Sequence, residues 1–278
     1  MSSGTAGSKT GPPTNVIVMA EQTQNNAQHV NSSRPYLPVW GPWQTVGLGL
    51  AILAINAAAQ AGVFFGFVVK EYAESPGPGI LELITGLATN GLVLSLLVIA
   101  GAAVGIPMIV VFVKARRRAS IREYLALNPI TKKQVLVSLA IVAGLIALIE
   151  LVGSATGQPG DVFTVNAYQT AKPLALLWIS FVIIGPVFEE MFFRGFLFAG
   201  WIRSRLGAVG TVALTSSLFA VLHLQYGLFG IISVLVMGIA LGIMRLKTGS
   251  LWSPLLMHFA WNLAAVVMIA LNLASSAS

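Results

Sequence analysis

The sequence predicts an all-α polytopic membrane protein, a bundle of about seven transmembrane helices with eight as the upper count. Three observations carry this. Of 278 residues, 56% are hydrophobic and only 9% charged, which is outside the balance of soluble domains. The apolar residues fall in runs long enough to cross roughly 30 Å of hydrocarbon, which takes about 20 helical residues. The basic residues gather at the ends of those runs, where they face lipid headgroups, so the net charge of +7 is read as topological and nucleic acid is not an expected partner.

From the N-terminus, residues 1–40 are rich in Ser, Thr, Gly, Asn, Gln and Pro and are expected to form a disordered polar tail without signal-peptide features. A start at Met19 would shorten the tail and leave every span intact, and His29 within it is read as an ordinary solvated residue. Trp40 and Trp43 suit an interfacial belt. Spans are expected near 45–69, 90–113, 134–152, 173–199, 209–225, 228–244 and 253–273. KARRR at 114–118, Lys132 with Lys133, WIRSR at 201–205, and Arg245 with Lys247 then share one side. By the positive-inside rule that side is the cytoplasm, which makes the N-terminus cytoplasmic in a protein expected in the plasma membrane. Residues 119–133 are too short and too charged to span, and Pro129 interrupts them, so they are expected along the cytoplasmic interface. Gly101 with Gly105 and Gly238 with Gly242 are small-xxx-small pairs that let helices approach closely. No cysteine is present, which excludes disulfides, thiolate ligands and a cysteine nucleophile.

Ionisable groups deep in a bilayer are expensive and mark candidate sites. Glu190 precedes Arg194 by four, the favoured order for an ion pair on one helical face. Glu189 points about 100° away and has no local partner, so as a partly desolvated carboxylate it suits a general base. His223 lies in the fifth run, and His258 and Asn262, four apart, face one direction from the last. At 1.5 Å per residue Glu189 and His223 each lie about 21 Å from the basic end. With Ser253 as cap and Pro254 in the first turn, His258 lies about 8 Å and Asn262 about 14 Å into the last span, which brings Asn262 nearer the Glu189 level. Pro186 is expected to disturb the fourth span three residues before Glu189.

Glu189, Glu190 and Arg194 followed by Gly195 form EExxxR. Phe219 to His223 form FxxxH, and His258 to Asn262 form HxxxN, preceded by TGSLWSPLLMH. In order and separation these resemble the three motifs of the CPBP (Abi) family of intramembrane proteases, which includes CAAX prenyl-protein endopeptidases and bacteriocin-processing or self-immunity proteins. The resemblance covers roughly residues 172–272. It divides the chain into the tail (1–40), N-terminal transmembrane helices with the interfacial segment (41–171) and a protease-like membrane domain (172–273).

The resemblance implies an endopeptidase acting on a membrane-associated protein or peptide. By the same carry-over Glu189 and His223 would activate water, His258 and Asn262 would stabilise the oxyanion or hold the substrate, and Glu190 and Arg194 would support the site. As residue types, Glu189, His223 and His258 also suit a zinc site with an open position for water. Their spacing is unlike HExxH, and the resemblance points at least as strongly to a metal-free, glutamate-dependent mechanism, which is the preferred expectation. A non-catalytic immunity or scaffold protein is the alternative function. A proton-coupled transporter ranks below it, because no broken-helix repeat is visible. Nothing in the sequence separates a prenylated C-terminus from a leader peptide or a membrane-protein stub as substrate.

Overall fold

A computed structural model describes residues 39–74, 77, 79–158 and 162–276. The expected tail up to residue 38, including Met19 and His29, lies outside them. Residues 39 and 40, assigned to that tail, are tied down: Trp40 Nε1 donates to Phe112 O at 2.9 Å, and Arg116 Nε to Val39 O at 3.2 Å.

The described residues contain helices and no strand. Six helices are long and apolar enough to cross a membrane: α1 (Pro42–Glu74), α3 (Gly91–Ala115), α5 (Lys132–Ala155), α7 (Leu174–Trp201), α9 (Leu228–Thr248) and α10 (Trp252–Ser276). This is a multi-pass membrane protein, with large apolar side chains such as Leu50, Phe65, Val111 and Leu148 on its outside. The seventh expected span is α8 (Gly207–Val221), apolar but only 15 residues and so about 22 Å long. The chain leaves it where His223 N–H turns back to Ala220 O and Tyr226 N–H to His223 O, and Gly227 opens α9. The expected run of 209–225 therefore ends early, and His223 sits in a turn.

Three short helices complete the bundle: α2 (Ile80–Ala88), α4 (Ile121–Tyr124) and α6 (Val162–Thr170). The segment 119–133, expected along an interface, is folded against the bundle. Ser120 caps α4, Tyr124 and Leu125 are buried, and Leu125 reaches the bare backbone at Gly195 of α7. Leu251 N–H donates to Ala126 O and Asn128 Nδ2 to Gly249 O, both at 2.9 Å, stitching this segment to the α9–α10 turn. Gly249 has φ +62, the left-handed conformation that ends a helix without a Cβ penalty.

The four small-residue positions are contacts. A Cβ at Gly101 would lie 2.7 Å from Asn56 Nδ2 of α1, and one at Gly105 would collide with the Phe188 ring of α7. Gly238 faces Ser216 and Arg194, and Gly242 faces Val212. Close backbone approach replaces a hydrophobic driving force between helices in lipid.

Candidate active site

Helix α7 carries the EExxxR motif and is not a regular helix. Two wide turns, Ile179–Ile184 and Met191–Leu197, in which N–H groups reach five residues back, flank the regular turn Gly185–Glu190. Such π turns are frequent at functional sites. The disturbance expected around Pro186 is thus a local widening, and each wide turn leaves a carbonyl for another partner. Phe198 N–H bonds Phe193 O and Gly195 O, and Arg194 O accepts Arg245 Nε at 3.0 Å.

Arg245 corrects an expectation. Its place beside Lys247 at a span end suggests a headgroup-facing cation, but it is buried, with its guanidinium over the Phe198 ring at 5.2 Å. The signal for this is in the sequence: Gly238, Gly242 and Arg245 recur at the i, i+4, i+7 spacing of one helical face, so Arg245 shares the face on which the glycines admit α7 and α8.

The Glu190 and Arg194 side chains are fully buried. Arg194 Nη1 donates to Glu190 Oε1 at 2.9 Å and Nη2 to Gly238 O at 3.0 Å, while its guanidinium lies 4.6 Å from the Phe219 ring centre. A Cβ at Gly238 would stand 3.3 Å from Nη2, so glycine keeps that carbonyl within reach. The i,i+4 pair predicted from spacing is formed and has a further partner, since His258 Nδ1 lies 2.9 Å from the same Glu190 Oε1. A carboxylate paired to arginine accepts, so His258 Nδ1 carries the proton and donates.

That tautomer turns His258 Nε2 toward Glu189, whose Oε2 is 3.6 Å away. Glu189 keeps 27% of its side chain accessible, against none for Glu190. Glu189 has no partner on its own helix, as its angle predicts; its partner comes from α10. The depth estimate is corrected as well. It places Asn262 nearest Glu189, whereas His258 meets both glutamates and Asn262 Nδ2 donates to Phe181 O at 2.8 Å. α7 and α10 run antiparallel, so one turn forward along α10 moves back along α7. The expected cap is different too: Trp252 N–H is taken by Ser250 Oγ at 3.1 Å, and Ser253 Oγ is buried without a hydrogen-bond partner.

His223 stands apart from this cluster. Its Nδ1 lies 2.7 Å from Phe219 O, and since a carbonyl only accepts, Nδ1 carries the proton and Nε2 is left with its lone pair. No hydrogen bond or ion pair joins it to Glu189 among the described residues. The link is Phe219, whose buried ring lies 4.5 Å from the His223 ring and 5.6 Å, edge to face, from that of His258. In the sequence Phe219 is only a motif letter, and Tyr226 escapes notice altogether. Tyr226 stacks on His223 at 5.9 Å and 22° and is met edge-on by Phe163 of α6. A fixed i, i+3 spacing from His223 is its only signal.

As placed, Glu189, His223 and His258 do not make a metal set: among the described residues no three His, Asp, Glu or Cys groups converge to hold an ion. The Nδ1 of each histidine is engaged, with Glu190 and with Phe219 O, which fixes the ring and leaves Nε2 as the open nitrogen.

All six expected site residues lie between α7 and the first half of α10. Residues 171–264 match the family model described as type II CAAX prenyl endopeptidase, Rce1-like. The three motifs of the CPBP resemblance fall inside this Rce1-like segment, so the resemblance read from them holds there. No curated protein and no solved structure matches the chain.

Proposed function

We propose that this protein is a membrane-embedded CAAX-type endopeptidase that hydrolyses a peptide bond in a membrane-associated protein or peptide, with water activated by Glu189 and His223. The observation that carries the reading is His258 held between two carboxylates inside the Rce1-like segment. Glu190, fixed by Arg194, orients it through Nδ1, and its Nε2 faces the accessible Glu189.

This geometry supports a definite movement of protons. Water needs a base; the Glu189 carboxylate, which keeps part of its side chain accessible, and His223 Nε2, the ring nitrogen not engaged with Phe219 O, are the acceptors we assign to it. As the water oxygen attacks the peptide carbonyl, its proton passes to Glu189 and is held at the Glu189–His258 contact. A protonated His258 Nε2 becomes a donor to the oxyanion, and Glu190 balances the imidazolium. The C–N bond then breaks, and the leaving amine takes the proton back. Asn262 is the second oxyanion donor that the resemblance implies; its Nδ2 already bonds Phe181 O, so we assign the oxyanion to His258 first. The zinc alternative would place a Lewis acid among Glu189, His223 and His258, and no step of this route depends on it.

We further infer a cytoplasmic N-terminus. Arg116, Arg117, Lys132, Lys133, Arg203 and Lys247 lie at one end of the bundle, whereas Glu71, Glu74, Glu82 and Glu150 lie at the other. The proposal is tested by comparing membrane peptides, by mass spectrometry, between cells carrying the parent protein and Glu189→Ala. A fragment present only with the parent, or a precursor that accumulates with the variant, is expected. Identical peptide sets would sink the proposal, and a cellular phenotype fully retained in Glu189→Gln would favour the immunity or scaffold role.

A further inference from the structure

Pro186 and Asn262 are joined by one backbone carbonyl. In the wide turn Ile179–Ile184, Gly185 N–H bonds Ser180 O, five residues back. The next donor in that register would be residue 186, reaching Phe181 O, but Pro186 has no N–H. Phe181 O is thereby left without a donor from its own helix inside an apolar span, where an unpaired carbonyl is costly. Asn262 Nδ2 donates to that oxygen at 2.8 Å from the neighbouring helix.

We propose that Asn262 is a positioning residue: it docks α10 on the carbonyl that Pro186 frees, and this contact sets the register at which His258 meets Glu189 and Glu190. Three facts support it. His258 and Asn262 are one turn apart on α10, and both dock on α7, at Glu190 Oε1 and Phe181 O. The two contacts lie either side of Pro186, so together they fix both the height and the tilt of α10 against the catalytic turn. Pro186 itself is buried, with the glutamates in the same helical turn. The 3.6 Å approach of His258 Nε2 to Glu189 depends on that register, because one turn of slip moves it by about 5.4 Å. The inference rests on the proposed peptidase only for its activity readout.

The test is a double-mutant cycle on the full chain in nanodiscs, with Asn262→Ala, Pro186→Ala and the double variant. Cleavage is followed on a fluorogenic farnesylated peptide ending in a CAAX sequence. Because the chain has no cysteine, spin labels at Ile179→Cys and Leu271→Cys, both exposed, report the α7–α10 spacing whether or not the peptide is cut. Asn262→Ala alone is expected to lower kcat at least tenfold with KM nearly unchanged and to broaden or shift the spin-label distances. Pro186→Ala restores a helical N–H for Phe181 O, so in that background Asn262→Ala is expected to cost less than threefold and to leave the distances narrow. Equal losses from Asn262→Ala in both backgrounds would overturn the proposal, as would unchanged distances in Asn262→Ala. If Pro186→Ala does not fold, the distances in Asn262→Ala decide alone. A parent that cuts nothing would count against the peptidase and leave the spacing result standing.

Discussion

Removing the Glu190 carboxylate is the sharpest structural perturbation available at this site. Glu190→Ala takes away the one oxygen that accepts both Arg194 Nη1 and His258 Nδ1, each at 2.9 Å. The guanidinium stays in the core, with no side-chain exposure, on Gly238 O and the Phe219 and Phe193 rings, without a carboxylate on its own helical face. Breaking a buried pair by removing one partner costs about 3–5 kcal/mol, because an uncompensated charge is left behind. At about 2–4 °C per kcal/mol for a chain of this size, the melting temperature should fall by roughly 6–20 °C. Thermal unfolding followed by the fluorescence of the six tryptophans reads this directly. Glu190→Gln keeps volume and an acceptor oxygen but not the charge, so it should lose less than Glu190→Ala and still melt below the parent. The double variant Glu190→Leu with Arg194→Met removes both charges and should be more stable than Glu190→Ala, since an apolar pair of similar volume often replaces a buried ion pair without loss. A fall of less than about 2 °C for Glu190→Ala, under about 1 kcal/mol, would refute the view that this carboxylate neutralises the core.

Other consequences are open to measurement. Gly105→Ala would drive a methyl into the Phe188 ring and should destabilise by about 1–3 kcal/mol in the same melt, whereas Gly86→Ala, with nothing within 4 Å, should not. Tyr226→Ala removes the ring stacked on His223 and should lower kcat about 2- to 10-fold, as read with a fluorogenic peptide. Burial pushes the Tyr124 phenol from 10 up to about 12, against the opposing effects of the Trp40 N–H bond and the Arg116 charge. A raised folded-state value means stability is full below pH 10 and is lost as pH rises toward 12, because the unfolded chain loses the proton first. Tyr124→Phe should abolish that part of the alkaline loss in a melt series from pH 9 to about 12.

Much of this architecture is legible in composition and run length, because lipid demands long apolar helices with their backbones satisfied internally. The six long helices fall where the apolar runs do. Helices α2 and α6 escape that reasoning, since nine residues each are too few to span and leave no run to count. The ion pair of Glu190 with Arg194 is readable because an i,i+4 contact is local. What joins separate helices is not. The depth estimate assumes straight helices and a Ser253 cap, whereas α7 contains two wide turns and α10 begins at Trp252, one residue ahead of Ser253, so His258 rather than Asn262 arrives at Glu189. Arg245 shows the same limit from the other side: its charge fits a headgroup, and only the glycines on its face reveal that it turns inward to Arg194 O.

The central claim is that Glu189, with His223, activates water for peptide hydrolysis. Purified protein in nanodiscs, given a farnesylated CAAX peptide and the same peptide without its lipid in 18O-labelled water, tests this most directly. The account predicts cleavage that places one 18O in the new carboxylate, with Glu189→Gln and His223→Ala each slowed by at least about 100-fold while both variants melt as the parent does. Cleavage at the parental rate in both well-folded variants would contradict it.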